Sequence, residues 1–403
     1  MSKSDLKKQI LFISNGHGED LNGSLIAQSL RSLSDDFVID SFPIVGEGKS
    51  YQNKNIKIVA PIQAMPSGGI FYLNPLNFLQ DLWSGLISLT LQQIKTINQI
   101  KNNYDFVVAV GDVVPLFFAY LTGKNYVSFI VSTSSYYEGK LKLPWLTKLL
   151  LRSSRCQQIY TRDQYTAKDL QRQGLTKAIF AGYPIMDTLT PTGHDLSLSP
   201  ENPLIALVPG SRVPEALRNL KLQLQVVEKL VSLSPTKWQF RAALVPSITN
   251  DDLAQIAQEL DWQYSEQTLS TTIDKQHIEV KTYNNAFADI LQASSLVLGM
   301  AGTAVEQAVG LGKPVVQTPG KGPQFTYRFA EAQMRLLGLN VLTIADHPDQ
   351  DMICEQTARK IMSLLNDEPF LAQCIDNGKE RVGEKGGSLG IAQQIKLTIQ
   401  QKN

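Results

Sequence analysis

Four stretches of this sequence place charged or small polar residues where an apolar strand gives way to a helix. In Ser14-Asn-Gly-His-Gly-Glu-Asp20, the titratable groups of His17, Glu19 and Asp20 fall within four positions beside two glycines. Gly16 and Gly18 permit a tight turn and close backbone approach. An imidazole and carboxylates at a sheet's carboxyl edge are suited to proton transfer. Asp20 can alternatively cap the following helix. The spacing is not that of a GxGxxG dinucleotide fingerprint. In Val110-Gly111-Asp112, an acid directly follows an apolar strand. Asp112 suits a general base for a sugar hydroxyl or a partner that orients His17, and it can equally serve as a helix cap.

The other two turns suit anions. Val208-Pro-Gly-Ser-Arg-Val-Pro-Glu215 precedes an amphipathic helix. Gly210 and Ser211 supply backbone and hydroxyl donors, and the planar fork of Arg212 matches a pyrophosphate. Pro214 and Glu215 suit a helix start, so part of this motif is structural. In Gly299-Met-Ala-Gly-Thr-Ala-Val-Glu306, Gly299, Ala301 and Gly302 let a ligand approach the backbone. A helix opening at Thr303 would present free N–H groups and a positive dipole end. Glu306 could accept hydrogen bonds from ribose hydroxyls. Thr303 and Glu306 also have the spacing of a capping box, which needs no ligand. Downstream, the loop Thr318-Pro-Gly-Lys-Gly-Pro-Gln-Phe325 carries Gln324 as a candidate for sugar hydroxyls and Lys321 as a solvated charge.

Positioning these turns requires two α/β series. Short β-branched runs at 10–14, 37–42, 56–59, 106–110 and 127–131 alternate with helical stretches, which predicts a parallel sheet covered by helices. Runs at 204–208, 240–245, 277–280, 295–298 and 314–317 predict a second. Leu217, Leu220, Leu224, Val227 and Val231 form a core-facing helical stripe between the first two of these. Residues 191–203, rich in Pro, Ser and Thr, read as a linker. The expected organisation is an N-terminal Rossmann-like domain over 1–190, the linker, and a second such domain over 204–380, with 381–403 as a terminal helix. Ligands of doubly wound sheets bind beyond the carboxyl ends of the strands, so two facing domains would frame a cleft.

The 403 residues balance 38 basic against 37 acidic side chains, a formal charge of +1 that gives no global field for nucleic acid. Cys156, Cys354 and Cys374 are far apart and form no CxxC pair, which argues against a disulfide framework or a thiolate zinc site and favours cytoplasmic thiols. The polar residues 1–8 precede the first strand without a signal-peptide core. The apolar region 70–91 is interrupted by Asn74, Pro75, Asn77, Gln80 and Asp81, so it is a poor membrane span. Its Phe71 and Trp83, together with Trp145 in the cation-flanked stretch 140–152, suit a bilayer surface, or alternatively a packed helix pair.

Taken together, the motifs resemble lipid-A-disaccharide synthase, more closely its divergent synthase-related family, and more distantly the glycosyltransferase that forms lipid II. The resemblance spans nearly the whole chain. Its most specific parts are Leu207-Val-Pro-Gly-Ser-Arg212 with Glu215, and Gly302-Thr-Ala-Val-Glu306 followed by Gly312-Lys-Pro314. Weaker parts are Gly111-Asp112, Gly182-Tyr-Pro-Ile-Met-Asp187 and the opening glycine turn. The synthase usually has Gly-Glu-x-Ser-Gly-Asp at that opening turn. This chain has Asn15-Gly-His-Gly-Glu-Asp20, nearer in character to the lipid II enzyme.

The resemblance implies a GT-B fold: an acceptor domain, a nucleotide-sugar domain, and a last helix returning to the first domain. It also implies inverting transfer of a sugar, of GlcNAc type, from a UDP-sugar to a lipid-linked acceptor, without a required metal or other cofactor. By the match, Arg212, Gly302, Thr303 and Glu306 are donor-binding positions and Asp112 is a catalytic carboxylate. With Gly210, Ser211 and Gln324 on the donor side and His17, Glu19 and Asp20 on the acceptor side, the expected protein is a cytoplasmic enzyme peripheral to a membrane's inner face. Two alternatives share the fold. One is a UDP-sugar 2-epimerase or hydrolase, and the other is a non-catalytic GT-B binding protein.

Overall fold

The computed structural model describes residues 7–61, 86–299, 302–318 and 327–401. Phe71, Trp83, Lys321 and Gln324, with Met300 and Ala301 of the fourth turn, lie outside the described residues. The chain forms two compact units, Met1–Asp187 with Lys385–Asn403, and Thr188–Glu384.

In the first unit, β1 (Lys8–Ser14), β2 (Phe37–Pro43), β3 (Lys57–Ile58), β4 (Phe106–Val110), β5 (Asn125–Ile130), β6 (Cys156–Thr161) and β7 (Ala178–Ile179) form one sheet in the order β3-β2-β1-β4-β5-β6-β7. All its pairings are parallel. Parallel strands need long crossovers, and the helices His17–Leu33, Leu86–Ile100, Val113–Leu121, Trp145–Arg152 and Gln164–Arg172 lie in those connections. Central β4, Phe-Val-Val-Ala-Val, is buried throughout, as expected of a strand covered on both faces. Sequence periodicity missed β6, because Gln157 and Gln158 interrupt its apolar run. Gln158 Nε2 instead donates to the carbonyl of Lys177 at the sheet's margin.

The helix Gly387–Gln400 belongs to this first unit. Ser388 Oγ accepts from Ser29 Oγ at 3.0 Å, and Lys396 Nζ donates to the Leu33 carbonyl at 2.9 Å. The start of this helix is held by Asp187, whose carboxylate accepts from Gly386 N at 2.5 Å, Ser388 N at 2.7 Å and Ser388 Oγ. An acid receiving the first-turn N–H groups satisfies donors that a helix leaves orphaned. The Gly182–Asp187 motif therefore has a structural task here.

The second unit orders its strands β10-β11-β12-β9-β8-β13-β14-β15. These are β8 (Leu204–Val208), β9 (Gln239–Ala243), β10 (Gln263–Ser265), β11 (Thr268–Ile273), β12 (Gln276–Tyr283), β13 (Leu296–Gly299), β14 (Val315–Gln317) and β15 (Val341–Thr343). From β12 to β15 the pairings are parallel, while β10, β11 and β12 form an antiparallel meander. Its two-residue turns, Glu266-Gln267 and Asp274-Lys275, all have positive φ, the backbone of type I′ hairpins. No glycine marks either turn, which is why the sequence did not signal the meander. The helix Glu215–Leu233 buries Leu220, Leu224, Val227 and Val231 in the unit's core, with Leu217 packed against it.

The 191–203 stretch lies folded onto the second unit rather than free. Asp289 accepts from Thr192 N and Gly193 N, both at 2.9 Å, and buried Arg241 donates to the carbonyls of Leu196 and Ser197. All three cysteines are buried and unpaired.

Candidate functional site

In the first unit Ser14 pairs in register with Val110, and Val110 with Phe129. The segments after β1, β4 and β5 therefore leave the same sheet edge side by side. The strand order reverses between β1 and β4, the switch point where doubly wound sheets bind ligands. The first helix starts at His17, with Gly16 as its N-cap, ahead of the start that a capping Asp20 would set. Asp20 is thus inside the first turn and does not cap it.

Glu19 is half-buried at the centre of this edge. Its carboxylate accepts from Ser132 Oγ at 2.5 Å and from Asn15 N at 3.1 Å. Gly111, at φ +129°, leaves room for it: a Cβ there would lie 2.6 Å from Glu19 Oε2. Burial pushes the Glu19 acid up to about 8, the Ser132 hydroxyl opposes that shift, and the Asp112 charge adds to it.

Asp112 is half-exposed next door and caps the helix Val113–Leu121, accepting from Val114 N at 2.9 Å. Asn15 Nδ2 stands 3.5 Å from Asp112 Oδ1. The capping role and a position at the sheet edge thus coexist. His17 is exposed, and its ring approaches the segment after β2, where a Cβ at Gly46 would lie 3.3 Å from Cε1. Asp20 points inward: it is 1% exposed, accepts from Ser14 Oγ at 2.6 Å, and has no partner for Oδ2 among the described residues. Burial raises its pKa to about 7. Ser14 Oγ also shares a hydrogen bond of 3.0 Å with the buried Tyr51 hydroxyl.

Ser132, Asn15 and Tyr51 were not singled out from sequence. The signal for Ser132 was the hydroxyl run Ser132-Thr-Ser-Ser135 after a strand. Ser134 Oγ donates to Asp163 Oδ2 and Ser135 Oγ to Asp169 Oδ2, each at 2.7 Å, and these bonds fix the loop that brings Ser132 to Glu19.

In the second unit Val208 and Gly299 are register partners on adjacent strands. The Pro209–Arg212 turn and the turn ending at Gly302 thus leave the sheet a strand spacing of about 4.8 Å apart, again where the strand order reverses. Ser211, Arg212 and Thr303 are exposed. Asn219 Nδ2 donates to the Pro209 carbonyl at 2.8 Å, and Gln223 Nε2 to the Leu298 carbonyl at 2.9 Å, so one helix braces both strand ends.

The capping box expected of Thr303 and Glu306 is not formed. Gly302, at φ +79°, is the N-cap of the helix Thr303–Gly310, and no side chain caps it. Its positive φ favours glycine, and a Cβ built there would meet no atom within 4 Å, so the N-cap position stands open and carries no side-chain oxygen. Behind it Gln333 Nε2 approaches the Gly302 carbonyl at 3.5 Å, while Gln333 Oε1 accepts from Gln317 Nε2 at 2.6 Å. Pro214 is likewise the N-cap of Glu215–Leu233 without a side-chain cap, and Glu215 opens that helix. Two uncapped helix starts and an exposed guanidinium at one sheet edge can receive a diphosphate.

No protein-family profile and no curated protein matches the sequence. Solved structures match over nearly the whole chain. The calicheamicin glycosyltransferase CalG4 has a TM-score of 0.65 at 13% identity, covering 98% of both chains. A ugt transferase from Siraitia grosvenorii in complex with UDP scores 0.59 at 12% identity, covering 98% of this chain and 100% of its own. A UDP-GlcNAc 2-epimerase from Neisseria meningitidis bound to UDP-GlcNAc scores 0.56 at 14% identity, covering 98% and 100%. The chain accordingly has the GT-B fold, two Rossmann-like units in tandem, which it shares with glycosyltransferases and with UDP-sugar epimerases.

Proposed function

We propose that this protein is a UDP-sugar-dependent glycosyltransferase whose second unit binds the donor. The carrying observation is the register pairing of Val208 with Gly299, which brings two glycine-bearing turns, each leading to a helix without a side-chain cap, off adjacent strand ends. In this reading the backbone of Gly210, the Ser211 hydroxyl and the Arg212 guanidinium hold the diphosphate together with Gly302 and Thr303. Glu306 accepts from ribose hydroxyls, and Gln324 is assigned to the sugar from sequence alone. UDP and UDP-GlcNAc in the fold neighbours support the ligand class.

The first unit would bind the acceptor. Its hydroxyl oxygen attacks the anomeric carbon, the bond from that carbon to the diphosphate breaks, and the electron pair leaves with UDP. Asp112 or His17 takes the hydroxyl proton, and the donor turns stabilise the charge on the departing diphosphate without a metal being required.

A lipid-linked acceptor, as in lipid-A-disaccharide synthase, is supported by the helix Trp145–Arg152. It buries Thr147, Leu150 and Leu151 while Trp145 is 76% and Leu149 59% exposed, with Lys148 and Arg152 alongside. Aromatic and apolar residues flanked by cations suit a bilayer interface. No helix among the described residues is long and apolar enough to cross a membrane, and peripheral contact needs none.

A UDP-sugar 2-epimerase or hydrolase is the second reading, supported by the epimerase among the fold neighbours. The discriminating experiment supplies UDP-GlcNAc with and without extracted lipid. Sugar appearing in the lipid fraction supports transfer. Epimer or free sugar without lipid supports the second reading, and UDP-GlcNAc turned over by neither route contradicts both.

A further inference from the structure

The helix Glu215–Leu233 buries two amides, Asn219 at 2% and Gln223 at 0% exposure, four positions apart and therefore on one face. Every other buried residue of this helix is apolar. A buried amide is unfavourable against an apolar side chain of its size unless its polar atoms are bonded, and Gln223 Oε1 has no partner among the described residues. Core packing alone therefore does not account for the pair. What the two amides share is a grip on the carbonyls at two adjacent strand ends: Asn219 Nδ2 donates to Pro209 and Gln223 Nε2 to Leu298. The first of these bonds sets a direction. In the trans Pro209–Gly210 peptide the carbonyl and the N–H point opposite ways, so a carbonyl held toward Asn219 turns the Gly210 N–H away from that amide. The backbone N–H groups of Gly210, Ser211 and Arg212 meet no acceptor among the described residues. Successive free N–H groups at a glycine of φ +111° suit an anion.

We propose that Asn219 is a positioning residue for the donor diphosphate: through the Pro209 carbonyl it aims the Gly210 N–H at the diphosphate, while Gln223 steadies the neighbouring strand end. This deepens the glycosyltransferase reading and rests on it for the ligand. Asn219 is buried and acts only through the peptide it holds. A hydrogen bond to an anion is strong when aligned and weakens steeply when it is not. Because the amide fixes the peptide before the ligand arrives, no ordering of the turn is left to binding. A nucleoside without phosphates gains nothing from this alignment, so the effect of Asn219 belongs to the diphosphate and not to the uridine.

The test compares UDP with uridine on the full-length protein. Asn219→Ala should weaken UDP roughly five- to tenfold, the loss of about one aligned hydrogen bond, and leave uridine affinity unchanged. Val227→Ala, one turn beyond Gln223 and buried in the same core, controls for lost packing and should leave both affinities unchanged. A second measurement needs no variant at the amide. Pro-Gly occurs only at 209–210 and 319–320, so labelling proline carbonyls with 13C and glycine nitrogens with 15N selects two amide signals, which Gly320→Ser tells apart. In the parent, UDP should shift the Gly210 amide proton downfield and uridine should not. Equal loss of UDP and uridine in Asn219→Ala, UDP affinity as high as the parent's, or a Gly210 amide that bound UDP leaves in place overturns the positioning role while the glycosyltransferase reading stands. Failure of the parent to bind UDP at all overturns that reading, and this inference with it.

Discussion

The carboxylate of Glu19 occupies the space a side chain at Gly111 would need, with Oε2 2.6 Å and Oε1 2.8 Å from the position of a Cβ. Gly111 also has φ +129°, so Gly111→Ala meets backbone strain and a collision together. The expected loss is about 1–3 kcal/mol of stability, read as a lowered denaturation midpoint at unchanged m-value. An alanine variant as stable as the parent would mean that Glu19 does not sit there.

Asp20 gives a pH dependence with a definite sign. Its folded pKa, about 7, lies above the ordinary aspartate value of 3.8, so the folded protein binds the extra proton between them. Stability from this group is complete below about pH 4 and is lost as pH rises through 7. Asp20→Asn removes the ionisation while keeping the shape. Relative to the parent, its stability should improve from pH 5 to pH 8, by on the order of 1 kcal/mol per unit of pKa shift. Chemical denaturation at the two pH values checks this, and an unchanged difference would place a charged Asp20 in the fold.

The strand-to-helix turns were readable from sequence because their signals are local: an apolar run, a glycine, then a polar residue. The buried stripe from Leu220 to Val231 and the fully apolar β4 were readable for the same reason. The partner of Glu19 was not, because Ser132 lies over a hundred positions away and meets it only through the β1-β4-β5 order. The inward direction of Asp20 followed from the helix beginning at His17, and helix ends are weakly specified by periodicity. The β10–β12 meander was hidden because its turns use Glu266, Gln267, Asp274 and Lys275 in a backbone usually signalled by glycine.

Asp187 should prove structural. Asp187→Ala removes the acceptor for Gly386 N, Ser388 N and Ser388 Oγ and leaves a helix start uncapped. A cost of about 1–2 kcal/mol is expected, with amide exchange accelerating first in the helix Gly387–Gln400. Unchanged exchange there would remove the capping role.

The exposed face of Trp145 and Leu149 should matter for lipid and not for nucleotide. Trp145→Ala with Leu149→Ala is expected to reduce flotation with vesicles containing anionic lipid while UDP affinity stays the same. Equal flotation of parent and variant, at low and physiological salt, would contradict a role for this face at the bilayer.

The central claim is that the paired turns after Val208 and Gly299 bind a uridine diphosphate, and calorimetric titration with UDP tests it most directly. Parent protein should bind UDP, and Arg212→Ala should bind it roughly ten- to a hundredfold more weakly, the loss of a charge-assisted hydrogen bond of about 1.5–3 kcal/mol. Arg212→Lys should recover only part of the loss, because an ammonium cannot reproduce the planar fork. No heat and no thermal stabilisation with UDP, or equal affinity in Arg212→Ala, would contradict the account.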